Sequence, residues 1–121
     1  MYDVVISLLV YNQPEVTREC VESLFKTSKS NFLLVISDNN SRKETADYLR
    51  GLVSKHQNVV YVRNDKNLGF ITAHNNIYAQ YSAMSDHFCV INNDLIFHTE
   101  GWDKNLLQSL MLTKNWHRLV R

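Results

Sequence analysis

Val4-Val5-Ile6-Ser7-Leu8-Leu9-Val10-Tyr11-Asn12-Gln13-Pro14-Glu15 is the stretch that decides the fold. Its first seven residues form a near-continuous apolar run rich in β-branched side chains, the pattern of a strand buried on both faces. Tyr11 to Gln13 break the run, and Pro14 brings a φ already set for the first position of a helix. Glu15 complements the positive end of that helix's dipole. Val16, Cys20, Val21, Leu24 and Phe25 then recur at helical spacing until Lys26-Thr27-Ser28.

Working outward, the same alternation repeats. Residues 32–37 read as a second strand that ends in Asp38-Asn39-Asn40-Ser41. Ser41 with Glu44 three residues on has the form of a capping box, which places a helix start there. Ala46, Leu49, Leu52 and Val53 are its apolar face. Residues 59–62 give a third strand, and the loop 63–69 leads to a helix with Phe70, Ala73, Ile77 and Tyr81 on one side. Residues 87–91 are the fourth strand, and Trp102, Leu106, Leu107, Leu110 and Met111 mark a final helix. Four strand-helix alternations with short connections predict an α/β fold, a mostly parallel sheet with alternating helices on both faces built from right-handed βαβ units.

Bulk composition narrows the function. At 121 residues, 45% hydrophobic and 21% charged, the chain reads as one globular domain over 1–121. Thirteen Lys and Arg against 12 Asp and Glu leave a net charge of +1, which makes no electrostatic case for nucleic acid or an anionic membrane. No apolar run approaches the ~20 residues of a membrane span. Met1-Tyr2-Asp3 lacks the basic start of a signal peptide. Cys20 and Cys89 both fall in apolar-periodic segments without CxxC spacing, so they read as reduced core thiols. A cytoplasmic protein is therefore expected, with peripheral contact to the inner face of the membrane left open.

In a parallel sheet every carboxyl strand end opens on one edge, where such folds place their ligands. Those ends carry Tyr11, Asn12 and Glu15; then Asp38, Asn39 and Asn40; then Asn64, Asp65, Asn67 and Gly69; and last Asn92, Asn93 and Asp94. Any one of these Asn or Asp residues could be a turn or cap residue. All four ends carrying acids or amides point instead to a ribose, a base edge or a hard divalent cation. GxxxxGK[ST] and GxGxxG are absent, so neither a P-loop nor a dinucleotide fingerprint is present. A bound diphosphate would then need a metal to neutralise it, and Mg²⁺ or Mn²⁺ would suit Asp94. Ser7, Ser37 and the cysteines lie within predicted strands or helices without a recognisable base, so no nucleophile is assigned. His74 is expected on the helix surface and His98 on a surface turn. A phosphoacceptor receiver domain would need paired acids after the first strand, where Asn12 and Gln13 stand.

Four blocks carry a family resemblance: residues 7–12 (SLLVYN) with Glu15, 36–41 (ISDNNS), 64–70 (NDKNLGF) with Asn75, and 91–94 (INND) with Gly101-Trp102. In this order the chain resembles the nucleotide-binding half of family-2 glycosyltransferases of the GT-A fold, with the third block similar to the rhamnosyltransferase-like branch. The resemblance implies a donor-binding domain for metal-assisted transfer of a sugar from a UDP- or dTDP-linked donor to a hydroxyl of a saccharide or lipid-linked acceptor. Tyr11 and Glu15 would meet base and ribose, Asn12 would belong to the nucleotide site beside them, Asp38 would grip the base, and Asn40 would belong to that block. The loop with Asn67 and Gly69 would close over the base, with Asn75 beyond it. Asn92, Asn93 and Asp94 would occupy the position of the family's DxD triplet, with Asp94 on Mg²⁺ or Mn²⁺ and Asn92 where the first Asp usually stands. Family members continue for on the order of a hundred residues more, holding the acceptor site and the catalytic carboxylate. The chain is therefore expected to be truncated relative to a full enzyme, with its catalytic base unassigned. The alternative is a truncated, non-catalytic nucleotide-binding or assembly domain, for which the fourth strand's free edge offers a route to a homo-oligomer.

Overall fold

The computed structural model describes residues 1–110. Four strands, β1 (Val4–Val10), β2 (Phe32–Asp38), β3 (Val59–Arg63) and β4 (Phe88–Asn92), form one sheet in the order β3-β2-β1-β4. All three pairings are parallel, so β1 sits between β2 and β4. Helix α1 (Pro14–Thr27) follows β1, α2 (Lys43–Lys55) follows β2 and α3 (Phe70–Tyr81) follows β3. A further helix covers 102–110. Its last expected core residue, Met111, and the tail beyond lie outside the described residues.

The period-two alternation of β1 and β2 divides the core. Val4, Ile6, Leu8 and Val10, with Phe32, Leu34 and Ile36, point to one face, where Cys20, Val21 and Leu24 of α1 and Leu49 and Leu52 of α2 pack. Trp102 and Leu107 from the last helix join that layer. Val5, Leu33 and Val35 point to the other face and meet Ile77 of α3. Helices thus cover both faces of a parallel sheet, as the sequence pattern implies.

Three local readings are corrected. Helix α2 begins at Lys43 with Arg42 as its N-cap and no side-chain capping bond, so Ser41 and Glu44 form no capping box. Ser41 is buried, and its hydroxyl instead accepts the Asn12 backbone N–H at 2.8 Å. The buried side of α3 is Ala73, His74 and Ile77, whereas Phe70 is 51% exposed. His74 is therefore no surface residue. Its Nδ1 is hydrogen-bonded to Ser7 Oγ at 2.7 Å, because Ser7 is the polar position on the α3 side of β1.

The 93–103 segment is fastened to α1 and to the turn after it. Asp103, 2% exposed, accepts from the backbone N–H groups of Lys29 and Ser30 at 3.0 and 2.9 Å and from the Ser30 hydroxyl. Burial alone would raise its pKa, but bonds from Ser30, Lys29 and Lys104 hold it below the ordinary value. With the folded value lowered, Asp103 stabilises the native state above the unfolded carboxyl's 3.8, and that contribution is lost as pH falls through the folded value. Urea unfolding of Asp103→Asn against wild type, followed from about pH 6 down to about pH 3, should show a lower stability at the upper end and a shallower acid slope in the variant.

Candidate functional site

The parallel register brings the four carboxyl ends to one edge. Val10 pairs with Asp38, Leu9 with Asn92, and Asp38 with Arg63. Along that edge the residues separate into an open cleft and a closed polar cluster.

The cleft lies between the ends of β1 and β4, has a volume of about 530 Å³, and is lined by Leu9, Tyr11, Asn12, Gln13, Phe70, Asn92, Asn93 and Asp94. Two exposed rings, Tyr11 and Phe70, belong to it. Asn12 and Gln13 both hold left-handed backbone, with φ of 55° and 56°, which turns the chain sharply from β1 into α1. Asn93 Nδ2 donates to Thr17 Oγ1 at 3.3 Å and Gln13 Oε1 at 3.4 Å, tying the β4 turn to the start of α1. The Asp94 carboxylate has no hydrogen bond or salt bridge among the described residues. An acid left open in a polar cleft is free to meet a cation.

The cluster lies at the ends of β2 and β3. Asp38 is fully buried and saturated: Oδ1 accepts the Ser41 N–H at 2.9 Å, and Oδ2 accepts from Tyr61 Oη at 2.5 Å and Arg63 Nη1 at 2.9 Å. Arg63 Nη2 donates onward to Asn40 Oδ1 and the Ser41 carbonyl, at 2.9 and 3.0 Å. Burial, then the hydrogen bond to Asp38, pushes the Tyr61 hydroxyl pKa up. Asn39, 1% exposed, is the hub of the following loop. It donates to Asn67 Oδ1 at 3.0 Å and accepts from Asn64 Nδ2 at 2.8 Å and Leu68 N–H at 3.3 Å. Gly69, with φ 77°, receives the Asn67 side chain on its N–H at 2.9 Å.

Asn12 joins the two halves: its N–H reaches Ser41 Oγ, and its Oδ1 accepts the Arg42 N–H at 2.8 Å. Of the residues singled out in sequence, Tyr11, Asn12, Asn92, Asn93 and Asp94 line the cleft. Asp38, Asn40, Asn67 and Gly69 sit in or beside the cluster, and Glu15 and Asn75 are exposed on α1 and α3 without lining the cleft. Asn39 was marked as a strand-end residue without a role of its own, while Tyr61 and Arg63 went unread because the first belongs to a strand pattern and the second to the start of a loop. One signal was available: a basic residue at the end of β3, level with an acid at the end of β2. For a divalent ion, the cleft offers one carboxylate and the amides of Asn12, Gln13, Asn92 and Asn93, and no group of three His, Cys, Asp or Glu gathers among the described residues. Such a set fits Mg²⁺ or Mn²⁺ only when phosphate oxygens and water complete the shell.

The fold and cleft define an α/β domain with a polar site at the carboxyl edge of a parallel sheet, and the comparisons with known proteins give its family. The family model described as glycosyl transferase family 2 matches residues 5–114. The chain belongs to that family. Among solved structures it is similar to the mannosyltransferase PcManGT from Pyrobaculum calidifontis in complex with GDP-Man and Mn²⁺, at 17% identity and TM-score 0.67, covering 78% of this chain and 28% of that one. S. aureus TarS 1-349 in complex with UDP matches at 19% identity and TM-score 0.72, covering 86% and 30%. The same protein in complex with UDP-GlcNAc matches at 20% identity and TM-score 0.66, covering 76% and 26%. These likenesses show the GT-A glycosyltransferase fold, and this chain spans less than a third of those structures' length. No curated protein matches the chain. No helix among the described residues is long and apolar enough to cross a membrane.

Asn39 uses both ends of its amide, so an isosteric change should release the loop it holds. Asn39→Asp replaces the donor aimed at Asn67 with an acceptor, and should cost about 1–3 kcal/mol of stability in denaturant unfolding, the penalty for a buried polar group left unpaired.

Proposed function

We propose that the chain is the donor-binding part of a metal-assisted glycosyltransferase that takes a nucleoside-diphosphate sugar. The observation that carries this reading is the cleft in which Asp94, without a hydrogen bond or salt bridge among the described residues, shares walls with Tyr11, Asn12, Asn92 and Asn93, on a chain of glycosyl transferase family 2. The nucleoside would lie along the sheet edge, with its base toward the Asp38–Arg63 cluster and the 64–69 loop and its diphosphate toward Asp94. Tyr11 and Phe70 offer ring faces for stacking, and Asn12, Asn40, Asn67 and Gly69 supply or shape polar contacts. The exposed Glu15 would meet the ribose from the start of α1, and Asn75 would stand at the far side of the loop. The saturated state of Asp38 favours an indirect role, in which it fixes Arg63 and Tyr61 where a base can meet them.

Asp94 would hold Mg²⁺ or Mn²⁺ together with diphosphate oxygens, and the bound ion would stabilise charge on the departing nucleoside diphosphate. Support for a diphosphate and a metal comes from the chemistry of the donor set and from the complexes of the fold neighbours with UDP, UDP-GlcNAc, and GDP-Man with Mn²⁺. An inverting transfer also needs a base for the acceptor hydroxyl. No described residue takes that role in this reading.

Isothermal titration of UDP and dTDP, with Mn²⁺ or with EDTA, tests the proposal. Binding should tighten with the metal. Asp94→Ala should lose that tightening by about tenfold or more, at least the cost of removing an outer-shell metal partner. Equal affinities for wild type and variant, with and without metal, would refute it.

A further inference from the structure

Asp94 has no side-chain partner among the described residues, so its position depends on the backbone turn that carries it. That turn rests on α1. Cys20, fully buried, points its Sγ at the Asn92 carbonyl oxygen, 3.6 Å away. The Leu95 N–H also closes the turn onto the Asn92 carbonyl at 3.3 Å. The thiol therefore touches the turn two residues before Asp94, at the same carbonyl on which the turn closes.

Cys20 belongs to a row. One turn earlier on α1, Thr17 accepts from Asn93; one turn later, Ser23 Oγ accepts the Phe97 N–H at 2.9 Å; and the Thr27 carbonyl accepts the Gly101 N–H at 2.7 Å. Positions 17, 20, 23 and 27 recur at three- and four-residue spacing, so they share one helix face. Each of the four makes a contact with the segment 92–101. Asn92, Asn93 and Asp94 also line the cleft, so the turn stands between the cleft and the helix.

We propose that Cys20 is the positioning residue of Asp94, holding the Asn92–Leu95 turn from α1 so that the unpartnered carboxylate stands where a metal-bound diphosphate can reach it. The inference rests on the reading of Asp94 as the metal carboxylate. A thiol is a weak donor, and the Asn92 carbonyl is the acceptor it faces. A helix-borne anchor suits such a task because a side chain on regular structure is located more tightly than one on a loop.

The test compares wild type, Cys20→Ala and Cys20→Ser in the full 121-residue chain. Serine keeps a donor for the Asn92 carbonyl, and alanine does not. Amide hydrogen exchange over 92–97 is read without ligand, and UDP binding is titrated with Mn²⁺ and with EDTA. In Cys20→Ala, exchange over 92–97 should quicken while β2 stays protected. Its Mn²⁺-dependent tightening of UDP should fall by about 10-fold or more. UDP binding in EDTA should stay within about twofold of wild type, and Cys20→Ser should restore most of both losses. Unchanged exchange and unchanged Mn²⁺ dependence in Cys20→Ala would overturn the positioning role. Loss of UDP binding equally with and without metal would overturn it as well, by showing a general loss of structure. A wild type without Mn²⁺ dependence would instead overturn the reading of Asp94 on which this one rests.

Discussion

The structure depends on β1 being hydrogen-bonded to parallel neighbours on both sides while helices cover both of its faces. A strand in that position must be apolar almost throughout, because any unpaired polar group there would be buried without water. The run from Val4 to Val10 meets the condition, and its one hydroxyl, Ser7, is paired with His74. Parallel pairing then forces every strand to end at the same edge. The polar residues that follow β1, β2, β3 and β4 are gathered there by backbone geometry alone, before any side chain recognises another.

Three acids show how environment divides chemically equal groups. Asp103 is buried and accepts from backbone and hydroxyl donors, so it acts as a clasp between the last helix and the end of α1. Asp38 is buried too, but its charge is balanced by Arg63, and it organises the β2–β3 end of the edge. Asp94 is exposed, unpaired among the described residues and set in a cleft. A saturated carboxylate gains little from a further partner, whereas an open one beside a polar wall retains its capacity for a cation. The division of labour along the edge follows from how many donors each acid already has.

Helix α1 links these levels. Its apolar positions Cys20, Val21 and Leu24 belong to the core, and Thr17, Ser23 and the Thr27 carbonyl, with the Cys20 thiol, reach the segment after β4. Core packing and the placement of Asp94 are therefore mechanically joined. Asn12 does the same between the cleft and the Asp38 cluster, through Ser41 and Arg42. A site assembled from loops gains its precision from such ties to regular structure.

The sequence by itself determined the four strands, the helices between them and the edge where the polar residues meet, because periodicity and strand-end composition are local properties of the chain. It also marked Asp94 and the residues around it. Tertiary structure alone decided which polar residues would be used up inside the protein. Ser41 looked like a helix cap and became a bridge to Asn12, His74 looked like a surface residue and was buried against Ser7, and Arg63 ended a strand and became the partner of Asp38. Each of these outcomes depends on a residue far away in the chain that arrives at hydrogen-bonding distance only when the sheet forms. Local pattern reveals that a side chain is polar; only the fold decides whether its partner is the protein, or is left to be supplied by a ligand.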